Sequence, residues 1–356
     1  MNEATRSPPE LLHYKITSLE HRPALNYTTK QALLESCTSL NENYSPPFAG
    51  KAPASRLHSA GLTRRGLLAG LGSIGLLLGY ALEVEPQWRL DVRRYAVTLP
   101  NWHTGCHLTI AALADLHIYE PSLSLERAAE IVEATNLLRP DLVVLLGDYG
   151  VSASHPERVY SSSDIGAVLG GLRAPLGVFA IAGNHDWWND KTAMLNRRGL
   201  PEVLRALEAN GIQALANGAV PLALPGGGQV WLVGLDSQWA FGFGRGADNL
   251  SAALRQVPDD AFAILLAHEP DIFSEVPDRI ALTLSGHTHG GQVRLFGWSP
   301  WVPSRYGNRY AYGHVTEGNR HLIISGGLGT SVYPVRFGVP PEIVLVAVGE
   351  SPIAGA

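Results

Sequence analysis

The sequence predicts an α/β fold of two packed sheets flanked by helices. Short apolar runs of strand length alternate with helix-length segments from about residue 107 to 182, and the second half of the chain is richer in strands. Several of those runs also end abruptly in polar side chains, the pattern of a ligand crevice at the carboxyl ends of strands.

Taken in order, His107 to Ala114 reads as a buried strand, and Leu125 to Leu138 carries a helical period through Ala128, Ile131, Val132 and Leu138. Asp141 to Leu146 (DLVVLL) and Gly177 to Ala182 (GVFAIA) are the next strands, each set off by a helix-length segment. Gln229 to Leu235, Ala261 to Ala267, Arg279 to Leu284, Leu322 to Ser325 and Ile343 to Val348 complete the second half. These elements place one domain over residues 95–350.

The first part of the chain differs. Residues 1–60 are rich in Ser, Thr, Asn and Pro without a lasting apolar period, which predicts a poorly ordered segment. Residues 61–85 contain Leu62-Thr63-Arg64-Arg65-Gly66-Leu67-Leu68 and an uncharged stretch from Gly66 to Leu82. That stretch lies between a secretory apolar region of about 7–15 residues and a spanning helix of about 20. The arginine pair before it resembles a twin-arginine export signal. The expectation is a protein exported across, or anchored to, the cytoplasmic membrane by the twin-arginine machinery, facing the periplasm or cell envelope. No small-x-small cleavage pattern stands near Gly79 to Pro86, so a removed signal and a retained anchor both stay open. An ordinary buried helix is the competing reading, although Gly66, Gly70, Gly72, Gly75 and Gly79 make a poor soluble helix.

Composition narrows the partners. The 356 residues are 46% hydrophobic and 17% charged, as in a globular chain, and the formal net charge is -5. Such a balance excludes nucleic acid as the main partner, and no nucleic-acid-binding surface is evident. Cys37 and Cys106 supply neither a disulfide framework nor a thiolate zinc site, and Cys106 reads as a packed strand residue.

The strand ends carry the chemistry. In order they deliver Asp115-Leu116-His117, Gly147-Asp148, Gly183-Asn184-His185-Asp186, His268 and Gly286-His287-Thr288-His289-Gly290-Gly291-Gln292. Asp-x-His and His-x-His on extended backbone send both side chains to one face. Carboxylate, imidazole and amide ligands without thiolates suit Mn, Fe, Zn, Co or Ni, and their number suits two divalent ions. With Asp148 as a bridge, Asp115, His117 and His289 complete one site, and Asn184, His268 and His287 complete the other.

This ordered set resembles the calcineurin-like metallophosphoesterase superfamily over roughly Leu108 to Val348. The tail Ser325-Gly326-Gly327-Leu328-Gly329-Thr330-Ser331, continuing through Pro334 to Ile343, is similar to the exported bacterial branch typified by YkuE and YaeI. The resemblance implies a four-layer α/β/β/α sandwich, a dinuclear metal centre, and phosphoester hydrolysis, most simply of a phosphodiester, by metal-activated hydroxide attack on phosphorus. Manganese is among the metals it admits. It places His185 beside the phosphoryl group, where an imidazole oriented by Asp186 could stabilise developing charge or protonate the leaving oxygen. Asp186 is equally a favoured cap for the helix that follows. Two divalent ions would also give an acidic protein its affinity for a phosphate anion.

Three alternatives differ in what they require. A binding module that has lost catalysis would not need the full ligand set. A membrane-associated pyrophosphatase or phosphodiesterase acting on a lipid-linked or nucleotide-sugar substrate would use the apolar segment and the aromatic cluster Trp298, Trp301, Tyr306, Tyr310 and Tyr312. A phosphomonoester phosphatase, including a phosphoprotein phosphatase, would need arginines on the phosphoryl group, for which Arg294 and Arg336 are the candidates.

Overall fold

Two six-stranded mixed sheets face each other, and the metal-capable loops lie along one shared rim. The computed structural model describes residues 64–99, 102 and 105–349, all within the unit 63–356. The expectation for residues 1–60 lies outside the described residues.

The strands are β1 (Asp91–Val97), β2 (Leu108–Leu113), β3 (Tyr119–Glu120), β4 (Leu142–Leu145), β5 (Arg158–Val159), β6 (Val178–Ala180) and β7 (Gln213–Ala214). They continue with β8 (Gly218–Ala223), β9 (Gln229–Gly234), β10 (Ala263–Leu266), β11 (Ile280–Ser285), β12 (Gly313–Glu317), β13 (Arg320–Ile324) and β14 (Glu342–Val348). The helices are α1 (Arg64–Gly79), α2 (Leu125–Leu137), α3 (Ser162–Leu169), α4 (Asn184–Asn189), α5 (Lys191–Asn196), α6 (Glu202–Ala209) and α7 (Leu250–Ala253). One sheet has the order β1-β14-β2-β4-β6-β7 and the other β12-β13-β11-β10-β9-β8.

The four-layer arrangement follows from where the two faces of each sheet are buried. Alternate residues of β2 and β4, such as Ile110 and Val144, pack against Leu232, Ile264 and Leu284 of the second sheet. Their neighbours Ala111 and Val143 instead meet α2, α3 and α6 through Ile131, Ile165 and Leu204. On the far side, Val233 and Leu265 pack under α7 and the 3-10 turn Pro270–Ser274. Strands covered on both faces read as continuous apolar runs, which is why β4, β10 and β14 are buried at every position. Helix α2 begins where Ser124 accepts the Arg127 amide, and α3 begins in a capping box between Ser161 and Asp164.

Six strands escape the sequence reading: the two-residue β3, β5 and β7, and the longer β1, β8 and β12. Strand β1 starts at Asp91, ahead of the expected domain start at 95, and pairs in parallel with β14 at the sheet edge. Its exposed Arg93 and Arg94 interrupt the apolar run. Edge strands β8, with Pro221, and β12, half of it exposed, are likewise too polar to read as buried strands. Cys106 is buried as expected, though it precedes β2 and donates its thiol to the Gly227 carbonyl at 2.7 Å.

Helix α1 is not a buried core helix. Leu71, Ile74, Leu76 and Leu78 are all more than half exposed, so the competing buried-helix reading does not hold for these turns. The helix runs on as π-helical turns over Tyr80–Trp88, past the expected end at 85, and residues Leu68–Trp88 are long and apolar enough to cross a membrane. The last turns belong to the domain. The Ala81 carbonyl accepts the Arg336 amide at 2.9 Å, and the buried Glu85 carboxylate accepts the Val339 amide at 2.8 Å.

Candidate metal centre

Every sequence-chosen ligand lies at a strand end on the shared rim. Adjacent strands β2, β4 and β6 deliver Asp115 and His117, Asp148, and Asn184 with His185, while neighbours β10 and β11 deliver His268 and His287 with His289. Each turn is sharp. Asp115, His117, Asp148, His287 and His289 all have left-handed backbone, with φ between 44° and 70°. Such conformations cost about 1–3 kcal/mol each and persist where surrounding structure enforces them, commonly at functional sites. Two glycines make room: a Cβ on Gly183 would come within 2.2 Å of Asp148 Oδ1, and one on Gly286 within 2.4 Å of Asp115 Oδ2.

The side chains converge as two triads, Asp115 with His117 and His289, and Asp148 with His268 and His287. In each triad the ligand atoms lie within 4.8 Å of one another. Asp148 Oδ2 is 3.3 Å from His268 Nε2 and 3.6 Å from His117 Nε2, so one carboxylate oxygen stands between the triads. His289 Nε2 is 3.5 Å from Asp115 Oδ1 and 3.2 Å from His117 Nε2. The triads set Asp115, His117 and His289 apart from His268 and His287, and Asp148 faces both groups.

The residues fit two divalent ions. Asn184 Oδ1, His268 Nε2 and His287 Nε2 are buried and have no hydrogen-bond partner among the described residues, a costly state unless a ligand takes them up. His268 Nδ1 lies 2.6 Å from the Leu146 carbonyl and His117 Nδ1 3.0 Å from that of Gly150. A proton on each Nδ1 leaves Nε2 free to ligate.

Charge leads to the same conclusion. Burial pushes the Asp115 carboxyl up to about 7, with Asp148 adding to the effect. Burial also opposes ionisation of Asp148, but His268, His185 and His117 outweigh it and hold the group well below the usual carboxylate range. Burial pushes His117 down to about 3 and holds His287 and His289 well below the ordinary imidazole value, keeping them neutral as ligands must be. His268 is the exception. Burial disfavours its cation, yet Asp148 and Asp115 raise it well above the ordinary value, so that proton occupies a place a divalent cation would take.

His185 sits beside the ligands without joining them. Its backbone amide donates to Asp148 Oδ1 at 2.9 Å, and its ring lies edge-on to His117 at 5.2 Å and to Trp188 at 4.8 Å, facing the cavity over the metal centre. Burial lowers its imidazole pKa. Asp186 does not orient this ring. Its buried carboxylate instead accepts the amides of Gly183, Asp148 and Tyr149 at 2.8–2.9 Å, tying the start of α4 to the bridging ligand. Burial, with Asp148 alongside, pushes its carboxyl up to about 7.

Neither candidate arginine is free to clamp a phosphoryl group. Arg336 is wholly buried and donates to the carbonyls of Gly326, Gly329 and Val339, with Nη2 3.5 Å from His289 Nδ1. Burial pulls its guanidinium down to about 10. Arg294 donates to Ser299 Oγ and Asn308 and lies over the Tyr312 ring. Sequence reasoning missed Trp239, whose ring meets His287 edge-on at 4.5 Å, and Glu269, which holds the Trp239 loop through Ser237 and the Gln238 amide. Glu269 directly follows the ligand His268, and that adjacency was the available signal.

Comparison with known proteins agrees with this geometry. A family model described as Calcineurin-like phosphoesterase matches residues 108–291, and the chain belongs to that family. It is 30% identical over 283 residues to the uncharacterized metallophosphoesterase YkuE of Bacillus subtilis, spanning 78% of this chain and 92% of YkuE. Phosphodiesterase YaeI of Escherichia coli is 31% identical over 274 residues, 75% of this chain and 91% of YaeI. An uncharacterized metallophosphoesterase of Aquifex aeolicus is 27% identical over 277 residues, 77% and 97% of the two chains. With both Asp/His clusters set in this fold, the protein is a metal-dependent phosphoester hydrolase with a dinuclear metal cofactor.

Proposed function

We propose that the protein is a phosphodiesterase held at the cytoplasmic membrane by α1 and its π-helical extension, with the catalytic domain exported through the twin-arginine pathway. The observation that carries the diesterase reading is that, among the described residues, no free arginine lines the centre or the largely apolar cavity of about 530 Å³ next to it. A dianionic monoester favours guanidinium clamps, whereas a diester needs room for a second substituent. The name of YaeI accords with this reading.

Asp115, His117, Asp148, Asn184, His268, His287 and His289 would hold the two ions, which supply Lewis acidity toward a water and toward the phosphoryl oxygens. Asp148, which faces both triads, would be shared between the two ions. His185, whose backbone N–H donates a hydrogen bond to Asp148 Oδ1, presents its imidazole to the substrate, either donating a hydrogen bond to the phosphoryl group or delivering a proton to the leaving oxygen. Asp186 is a positioning residue that holds the Asp148 and Asn184 turns together.

The test is kcat/KM for bis-p-nitrophenyl phosphate and p-nitrophenyl phosphate with protein loaded separately with Mn, Zn, Fe, Co or Ni. A higher value for the diester supports the assignment, and preference for the monoester overturns it.

A further inference from the structure

We propose that the apolar cavity beside the metal centre receives the hydrocarbon chain of a lipid-linked phosphoester, entering from the bilayer in which the exposed turns of α1 up to Gly79 are seated, a step that rests on the membrane anchoring proposed above. The cavity begins at Asp148, Asn184 and His185 and extends outward between Trp301 and the segment Ser331–Val335. Two polar side chains of its wall, Thr288 and Gln292, spend hydrogen bonds inside the protein. Thr288 donates to the Ala311 carbonyl at 2.7 Å, and Gln292 accepts the Ser331 amide at 2.6 Å while donating to the Tyr333 carbonyl. The wall is mostly apolar, which suits a hydrocarbon chain better than a nucleobase that must match donors and acceptors around its edges.

The rim exposes apolar side chains that the fold does not require. Trp301 is 68% exposed, Tyr333 70% and Phe296 107%. Val332 and Phe296 are held outward on left-handed backbone, with φ of 64° and 52°. For a β-branched residue that conformation is a true outlier, and glycine would be the unstrained choice at either position. A strained residue that presents its apolar side chain to water beside a catalytic centre points to a ligand that covers it.

Continuity with the anchor identifies the occupant. The wall segment Ser331–Val335 runs directly into Arg336–Val339, on which the base of the apolar helix is docked through Ala81 and Glu85. The Tyr80 ring meets Phe337 edge-on at 6.1 Å, and Val293 bridges to Phe337, so the strand leading to the Phe296 tip joins the same patch. A bilayer around the exposed turns of α1, which end at Gly79 just above this docked base, therefore ends beside the cavity mouth.

The experiment uses the full chain, metal-loaded and reconstituted in nanodiscs, titrated by calorimetry with ethyl-, butyl-, hexyl- and octylphosphonate. Affinity should rise about fourfold for each added methylene until the cavity is filled. Trp301→Ser and Val332→Ser, checked for folding by metal content, should each lower the octyl-to-ethyl affinity ratio about tenfold. Nanodiscs with brominated acyl chains should quench a fluorescence component that is missing in Trp301→Phe. A flat series in the wild type, or tighter binding of phenylphosphonate than of octylphosphonate, overturns the chain-binding assignment. An unquenched Trp301 overturns entry from the bilayer. Failure to turn over bis-p-nitrophenyl phosphate with the alkyl series intact would count against the diesterase reading alone.

Discussion

Replacing Arg336 by methionine separates a structural guanidinium from a substrate clamp. Methionine keeps most of the buried stem but removes every donor, leaving the carbonyls of Gly326, Gly329 and Val339 without their partner. Each orphaned buried group costs about 1–3 kcal/mol. Part of that sum is returned because a charge no longer has to be buried, so the net loss should be about 3–5 kcal/mol. For a domain of this size that corresponds to about 6–20 °C in Tm. The Gly329 amide donates to the Asp115 carbonyl and Arg336 Nη2 lies 3.5 Å from His289 Nδ1, so metal affinity should also fall by about 10- to 100-fold, as when support for a ligand is removed. Arg336→Lys should recover only part of both losses, since an ammonium cannot span three carbonyls. The assays are thermal unfolding of the metal-stripped protein and calorimetric titration with Mn. A variant that melts with the wild type, binds metal normally and only raises KM would refute this reasoning and restore Arg336 as a phosphoryl clamp.

His185→Asn should retain both ions. If the imidazole delivers a proton, activity on an alkyl phosphodiester should fall by about 100- to 10,000-fold and much less on a nitrophenyl ester; equal losses would make it a stabiliser of phosphoryl charge instead. Acid should weaken the metal-stripped protein through His117, because its folded pKa of about 3 lies below the unfolded value of 6.5. Between those values the unfolded chain binds the extra proton, so this contribution is present above pH 6.5 and is lost at about 1.4 kcal/mol per pH unit on acidification. In urea titrations His117→Gln should therefore lose stability less steeply below pH 6.5 than the wild type, and parallel slopes would contradict the burial argument. Replacing both Arg64 and Arg65 by Lys should keep the protein in the cytoplasm although the charge is unchanged. Unaltered cell fractionation of that double variant would remove the export reading.

What the sequence disclosed depended on locality. Strands such as β4 and β14 were legible because burial on both faces leaves a continuous apolar run, and the candidate metal-binding clusters were legible because each short string follows such a run. Edge position hid β1, whose solvent-facing Arg93 and Arg94 look like a loop. The role of Asp186 was hidden because its amide partners come from separate turns, at Gly183 and at Asp148-Tyr149. Arg336 was visible as a residue, but only the folded loop shows that its donors are spent on backbone. The aromatic cluster read as one exposed set divides in the fold. Tyr310 is fully buried and Tyr312 donates to Glu342, while Trp298 and Trp301 remain on the surface.

The central claim is that one carboxylate, Asp148, organises two ions into a single catalytic centre. Metal content by mass spectrometry, measured together with phosphodiester turnover on wild type, Asn184→Ala and Asp148→Asn, tests it most directly. Two ions per chain are expected in the wild type, with one site emptied in Asn184→Ala. Asp148→Asn should lose both the metal and the turnover. Full occupancy in Asp148→Asn, or full turnover by wild-type protein holding a single ion, would contradict the account.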